Sequence, residues 1–163
     1  MDQLLRDKII ASVSGAGAHV APTIALEELT AAQARRRPSK KLATVWDELA
    51  HMVLWQDLTI EIMRGGQPHV PEHAADGWPA IPTGRGASKA WEALKGRFLA
   101  GVAELEEAAR TRDLEARVGR DAKSTLGELL VMIANHNSYH LGQVVSLRRL
   151  IDAWPPPSGG ATW

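Results

Sequence analysis

The sequence predicts an all-α protein built as a four-helix bundle, and three observations carry that prediction. Apolar residues recur with a period near 3.6 in four long segments, and β-branched and polar residues nowhere alternate convincingly between turns. A threonine followed three places later by an acid, the signature of a capping box, stands at Thr44 and again at Thr125. A chain of 163 residues is the size of one ordinary domain. We assign residues 1–154 to a single bundle and residues 155–163, which open with three prolines, to a Pro/Gly-rich C-terminal tail.

Each element has its own local reason. The first helix is expected over about residues 2–14, with Leu4, Leu5, Ile9 and Val13 on one side, and the small-residue run from Ser14 to His19 ends it. A short helix is expected from about Leu26 to Arg36. The second long helix opens at Thr44, whose hydroxyl caps free amides while Asp47 reciprocates, and it stops at Arg64-Gly65-Gly66. Residues 65–86 hold too many Gly and Pro for a helix, so they form a long crossover loop, read as a cover over a site. The third helix, about residues 87–112, carries Trp91, Leu94, Phe98, Val102 and Leu105 as a bundle stripe. After a broken stretch from Arg112 to Lys123, the fourth starts at Ser124 or Thr125 and runs to about Asp152. There Trp154-Pro155-Pro156-Pro157 stops it, because proline cannot continue the ladder.

Nineteen Lys plus Arg balance nineteen Asp plus Glu, so no global field draws nucleic acid or an anionic membrane. The basic run from Arg35 to Lys41 has no interleaved aromatics and reads as a solvated linker. Absence of cysteine rules out disulfides, thiolate ligands and a cysteine nucleophile, so thiol chemistry would need a thiol brought by a small molecule. Charges interrupt the first residues where a signal peptide needs an apolar run, and no segment approaches the roughly 20 apolar residues of a membrane span. A cytoplasmic protein is expected.

Chemistry concentrates in Asn135-His136-Asn137-Ser138-Tyr139-His140. His136 and His140 are four apart on a helical face shared with Leu129, Ile133, Val144 and Leu147, close enough to hold one metal ion. Spacing alone leaves a second reading open, that of histidines hydrogen-bonded in a polar patch of core. His69 and His73 show why: they share the spacing, yet Pro68 and Pro71 deny them a common helical face. His51, seven residues after the Thr44 cap, brings a third imidazole if the second and fourth helices are neighbours. Three such ligands leave coordination positions open, as a catalytic metal requires.

Residues 44–56, TVWDELAHMVLWQ, together with residues 125–156, TLGELLVMIANHNSYHLGQVVSLRRLIDAWPP, resemble the DinB/YfiT-like superfamily of four-helix-bundle proteins. The resemblance spans essentially the whole chain in helix order. It implies His51, His136 and His140 as the ligands of a divalent metal, and it implies a homodimer, although no stripe in the sequence marks an interface. Imidazole suits zinc or nickel first, with iron and manganese as further candidates. By position, Glu48 and Trp55 lie near the face of His51, Glu48 as a carboxylate that orients His51 or serves as a base and Trp55 as a substrate platform, against the plainer readings of solvated charge and core aromatic. Gln143 is placed to orient an imidazole or a water. Asn137, rather than Asn135, is chosen to face the cavity and contact substrate, and Arg148 or Arg149 to clamp a substrate carboxylate, against a commoner role in complementing the helix dipole.

No glutamate follows the first histidine of His136-Asn137-Ser138-Tyr139-His140, which disfavours a zincin-type protease. A cation held by neutral imidazoles keeps its full charge and lowers the pKa of a bound water or thiol. The resemblance implies metal-dependent transferases and isomerases that use thiols such as bacillithiol, mycothiol or glutathione. A thiol S-transferase, with a small-molecule thiol cosubstrate and an electrophile as partners, is therefore the first expectation. A metal-dependent hydrolase shielded by the crossover loop is the second, and a non-catalytic metal-binding stress-response bundle the third. No residue is assigned a catalytic role in bond making.

Overall fold

The computed structural model describes residues 3–16, 18–119 and 122–160; residue 2 of the expected first helix and residues 161–163 of the expected tail lie outside them. Among the described residues six α-helices follow one another: α1 (Gln3–Ser14), α2 (Pro22–Ala25), α3 (Ala31–Ala34), α4 (Val45–Met63), α5 (Ala87–Thr111) and α6 (Leu126–Leu150). The two capping boxes set the starts of the long helices that matter most. Thr44 N–H donates to Asp47 Oδ2 at 2.8 Å while Asp47 N–H donates to Thr44 Oγ1 at 3.1 Å. Thr125 and Glu128 repeat the exchange at 2.7 and 3.2 Å. Each cap stabilises its helix by about 1 kcal/mol.

Two expectations are corrected. The helix expected over 26–36 shrinks to the one-turn α3, with α2 lying wholly before it at Pro22–Ala25; Glu28 takes φ +49° and leaves the helical region, after which Thr30 and Gln33 build a capping box for α3. The stretch after α5 contains a two-residue antiparallel pair, β1 (Arg117–Val118) with β2 (Ser124–Thr125), which a purely helical reading omitted. That pair delivers Thr125 to its cap position. The loop 65–86 is irregular apart from one 3₁₀ turn at Ala74–Gly77.

The long helices surround one core in the order α1, α5, α4, α6, so α4 and α6 pack side by side although α5 separates them in sequence. Trp46 and Trp91, with ring centroids 5.1 Å apart, centre that core with Phe98, Leu105 and Leu130. The buried Trp91 indole N–H needs an acceptor and finds Leu29 O at 2.6 Å, which fastens the α2–α3 segment to α5. The basic run, read from the sequence as a solvated linker, does keep Arg36 and Arg37 on the exposed surface, but its arginines are also tied to the fold. Arg35 lies over Trp46 at 4.9 Å, Arg36 donates to Ile151 O at 2.7 Å, and Arg37 pairs with Asp47 at 2.9 Å. Flat guanidinium groups stack and reach carbonyls in ways that lysine does not, and Lys40 and Lys41 stay exposed. No helix among the described residues is long and apolar enough to cross a membrane.

Candidate metal centre

Side-by-side packing of α4 and α6 brings His51 to His136 and His140. One ring nitrogen from each lies within 4.8 Å of the others, and no further His, Asp or Glu joins the group among the described residues. Ring centroids stand 4.5–5.0 Å apart, and His136 Nε2 is 3.1 Å from His51 Nε2. Ligand bonds of about 2.0–2.1 Å in a tetrahedral site put nitrogens about 3.3–3.4 Å apart, so the His51–His136 pair is spaced much as two ligands of one ion would be, with the His140 ring beside them.

The outer nitrogens are held as such a site requires. His51 Nδ1 donates to Gly77 O at 2.6 Å; a carbonyl only accepts, so the proton sits on Nδ1 and the Nε2 lone pair points inward. His140 Nδ1 lies 2.6 Å from Glu48 Oε2, a carboxylate–histidine arrangement that fixes the ring in the same sense. Burial, with the neighbouring His140 adding to it, pushes His136 down to about 4. Burial also lowers His51, partly offset by the Gly77 carbonyl. Both rings are neutral at pH 7 and present lone pairs, the form that binds a cation.

Aromatic rings surround the trio. Trp78 stacks on His51 at 4.2 Å and 14°, Trp55 stands edge-on to His51 and His136 at 6.2 and 6.3 Å, and Tyr139 stands edge-on to His140 at 5.0 Å. The crossover loop thus lies over His51 through Gly77 and Trp78. A Cβ at Gly77 would come within 3.3 Å of Trp55 Nε1 and 3.5 Å of the His51 ring, tight enough to explain a glycine there.

The other sequence candidates divide. Glu48 is buried but serves His140 instead of His51, and Trp55 is half-buried against two of the rings. Asn137 is buried in a polar relay: its Nδ2 donates to Gln56 Oε1 at 3.2 Å, and Gln56 Nε2 donates to Phe98 O at 3.0 Å. Its amide nitrogen is therefore committed to the core, while Oδ1 lies 3.5 Å from His136 Nδ1. Gln143 is exposed on the outer side of α6, with no hydrogen bond to an imidazole, because three residues past His140 the helix has already turned toward solvent. Arg148 is corrected outright. It is 3% exposed, and its guanidinium donates to Ala153 O, Ala25 O and Glu27 O at 2.9, 2.8 and 3.1 Å. Two turns past His140 it meets the carbonyl end of α2, so its guanidinium is spent on tying backbone in the interior instead of facing the histidines. Arg149 is exposed beside Trp154. His69 and His73 are exposed on the loop, apart from the trio.

Sequence reasoning missed Gly77, Trp78, Gln56 and Tyr139. The one available signal was a tryptophan in a Gly/Pro-rich loop, since an indole that size seeks a surface to cover.

No curated protein and no solved structure matches the chain. The family model described as the DinB superfamily matches residues 23–144, about three quarters of the chain, and that span includes all three histidines. On a match of that extent, the chain belongs to the DinB superfamily.

Proposed function

We propose that this protein is a divalent-metal-dependent enzyme that transfers a low-molecular-weight thiol to an electrophile. The observation that carries the reading is the convergence of three imidazoles whose outer nitrogens, on His51 and His140, are already engaged by Gly77 O and Glu48. A divalent cation bound there, zinc or nickel first, supplies Lewis acidity that brings a thiol into its thiolate form near neutral pH.

The chain's own part is positional. Glu48 and Gly77 aim two rings, and three ligands from the chain leave room for an incoming thiol. Trp55, Trp78 and Tyr139 present apolar surface beside the site, which favours a largely apolar electrophile. Glu48 Oε2 is engaged by His140 Nδ1, which uses the carboxylate to orient a ring instead of leaving it as a general base, and this favours thiol transfer over hydrolysis. A chain without cysteine must take its thiol from a cosubstrate.

Elemental analysis of protein purified without a nickel column, compared with a His51→Ala variant, is expected to show an ion in the first and its loss in the second. The metal-loaded protein is then offered a chromogenic electrophile with and without mycothiol, bacillithiol or glutathione. Conversion only with thiol supports the reading. Thiol-independent cleavage of esters or amides replaces it with a hydrolase, and retained metal with neither turnover replaces it with a metal-binding bundle.

A further inference from the structure

Two of the three imidazoles are turned by groups that can only accept a hydrogen bond, the Gly77 carbonyl at His51 and the Glu48 carboxylate at His140. His136 has a primary amide instead, with Asn137 Oδ1 3.5 Å from its Nδ1. An amide carries a donor and an acceptor, so Asn137 alone could turn either end to the ring. The choice matters because His51 Nε2, a bare lone pair, lies 3.1 Å from His136 Nε2. With its proton on Nε2, His136 would hydrogen-bond to His51, and the two rings would satisfy each other without a cation. With the proton on Nδ1, two lone pairs face one another, and a cation between them relieves the repulsion.

The choice is made from α5. Phe98 O can only accept, and Gln56 Nε2 on α4 donates to it at 3.0 Å. That uses the donor end of Gln56 and turns Oε1 toward α6, where Asn137 Nδ2 donates to it at 3.2 Å. Asn137 then has only Oδ1 left to face His136. Gln56 is 0% exposed and Asn137 5%, so reversing either amide would set acceptor against acceptor in the interior, a heavier cost than the weak 3.5 Å contact could offset. α5 also makes room for the first link. A Cβ at Gly101 would stand 2.0 Å from Gln56 Nε2 and 2.7 Å from its Cδ, which accounts for a glycine, a poor helix former, inside a 25-residue helix.

We propose that Gln56 and Gly101 are positioning residues of the metal centre: a one-way relay from Phe98 O through Gln56 and Asn137 holds the His136 proton on Nδ1, so the trio cannot close on itself and stays open to a cation. The role rests on the metal-centre reading, whereas the place of the proton belongs to the metal-free chain and is measured without an ion.

In the metal-free, isotope-labelled chain at pH 7, nitrogen–proton correlation spectra of the imidazoles report the tautomer, with His136 assigned by its loss in His136→Gln. The wild type is expected to show the Nδ1–H form. Gln56→Met frees Asn137 to reverse and is expected to move His136 toward the Nε2–H form. Gly101→Ala, which displaces the Gln56 amide from a helix that supplies no ligand, is expected to do the same. Zinc affinity, by competition against a chromophoric chelator, is expected to fall about tenfold or more in both variants. Adding Asn137→Asp to Gln56→Met is expected to restore the tautomer and most of the affinity, since a carboxylate presents an acceptor whichever way it turns. Circular dichroism checks that each variant is folded; a side chain that merely packed would lower stability without moving the proton or answering to the carboxylate. An Nε2–H form in the wild type, or folded variants with the wild-type tautomer and affinity, overturns the relay. A wild type in the Nδ1–H form that binds neither zinc nor nickel instead overturns the metal-centre reading, and the positioning role with it.

Discussion

Glu48 and Gly77 set two rings of the candidate metal centre without joining its cluster of ligand nitrogens. The Glu48 carboxylate holds His140 by its outer nitrogen, and the Gly77 carbonyl does the same for His51. Loss of such a partner typically weakens metal affinity 10- to 100-fold. Glu48→Gln keeps an acceptor and loses the charge, so a loss of about tenfold is expected, and Glu48→Ala should approach 100-fold; competition against a chromophoric chelator measures both, and equal affinity across all three proteins would remove Glu48 from the site. The imidazoles also make a prediction about pH. His136 sits at about 4 and His51 below its ordinary 6.5, so the unfolded chain takes up these protons first as pH falls. Their contribution to stability is present above 6.5 and is lost as pH drops from there toward about 4. The metal-free protein should therefore melt at a lower temperature at pH 5 than at pH 7, and His136→Gln should flatten that difference in thermal melts. Local spacing placed Glu48 beside His51, one turn away on the same helix, whereas its partner is a histidine on another helix. Spacing along one helix carries no information about interhelical register, and that is why the candidate residue was legible and its partner was not.

At the scale of elements, the starts of α4 and α6 were legible because a capping box is written in four consecutive residues. The break between α2 and α3 was not, since it depends on Glu28 adopting a left-handed conformation that its residue type does not advertise. Arg148 was misread for a related reason: an arginine in the last turn of a helix fits the dipole, a substrate clamp and a backbone tie equally well until the neighbouring element is known. Here it satisfies three carbonyls in the interior. Arg148→Met should strand those acceptors and cost about 3 kcal/mol in urea denaturation, while metal bound per folded chain stays the same. The crossover loop makes the opposite prediction. Trp78 is 41% exposed yet stacks on His51, so Trp78→Ala should change stability little and speed metal release to a chelator several-fold. A variant that releases metal at the wild-type rate would reduce the loop to a passive connection.

At the scale of the molecule, the decisive feature is which helices are neighbours. Helical period, loop positions and helix count gave a four-helix bundle, but a bundle of four helices can place the second and fourth long helices side by side or across a diagonal. From the residues alone, the meeting of His51 with His136 and His140 was conditional, and the family resemblance supplied what the pattern lacked. In the structure α4 lies against both α5 and α6, and α1 closes the ring on the far side, so the trio bridges two helices that the chain joins only through a long loop and a whole intervening helix. An ion at that place is a cross-link present in the fold and absent from the unfolded chain, so binding must raise stability by mass action. At free metal 100 times the dissociation constant the gain is about 2.7 kcal/mol, which for a domain of this size is about 5–11 °C in melting temperature. Untagged protein titrated with zinc or nickel should show that rise, with the midpoint climbing as metal concentration increases. His51→Ala, which leaves only the two α6 ligands, should lose most of it, because two imidazoles on one helix join nothing across the bundle. A wild type whose melting temperature ignores both metals would mean that the three rings pack as a core patch, and the catalytic reading would fall with them.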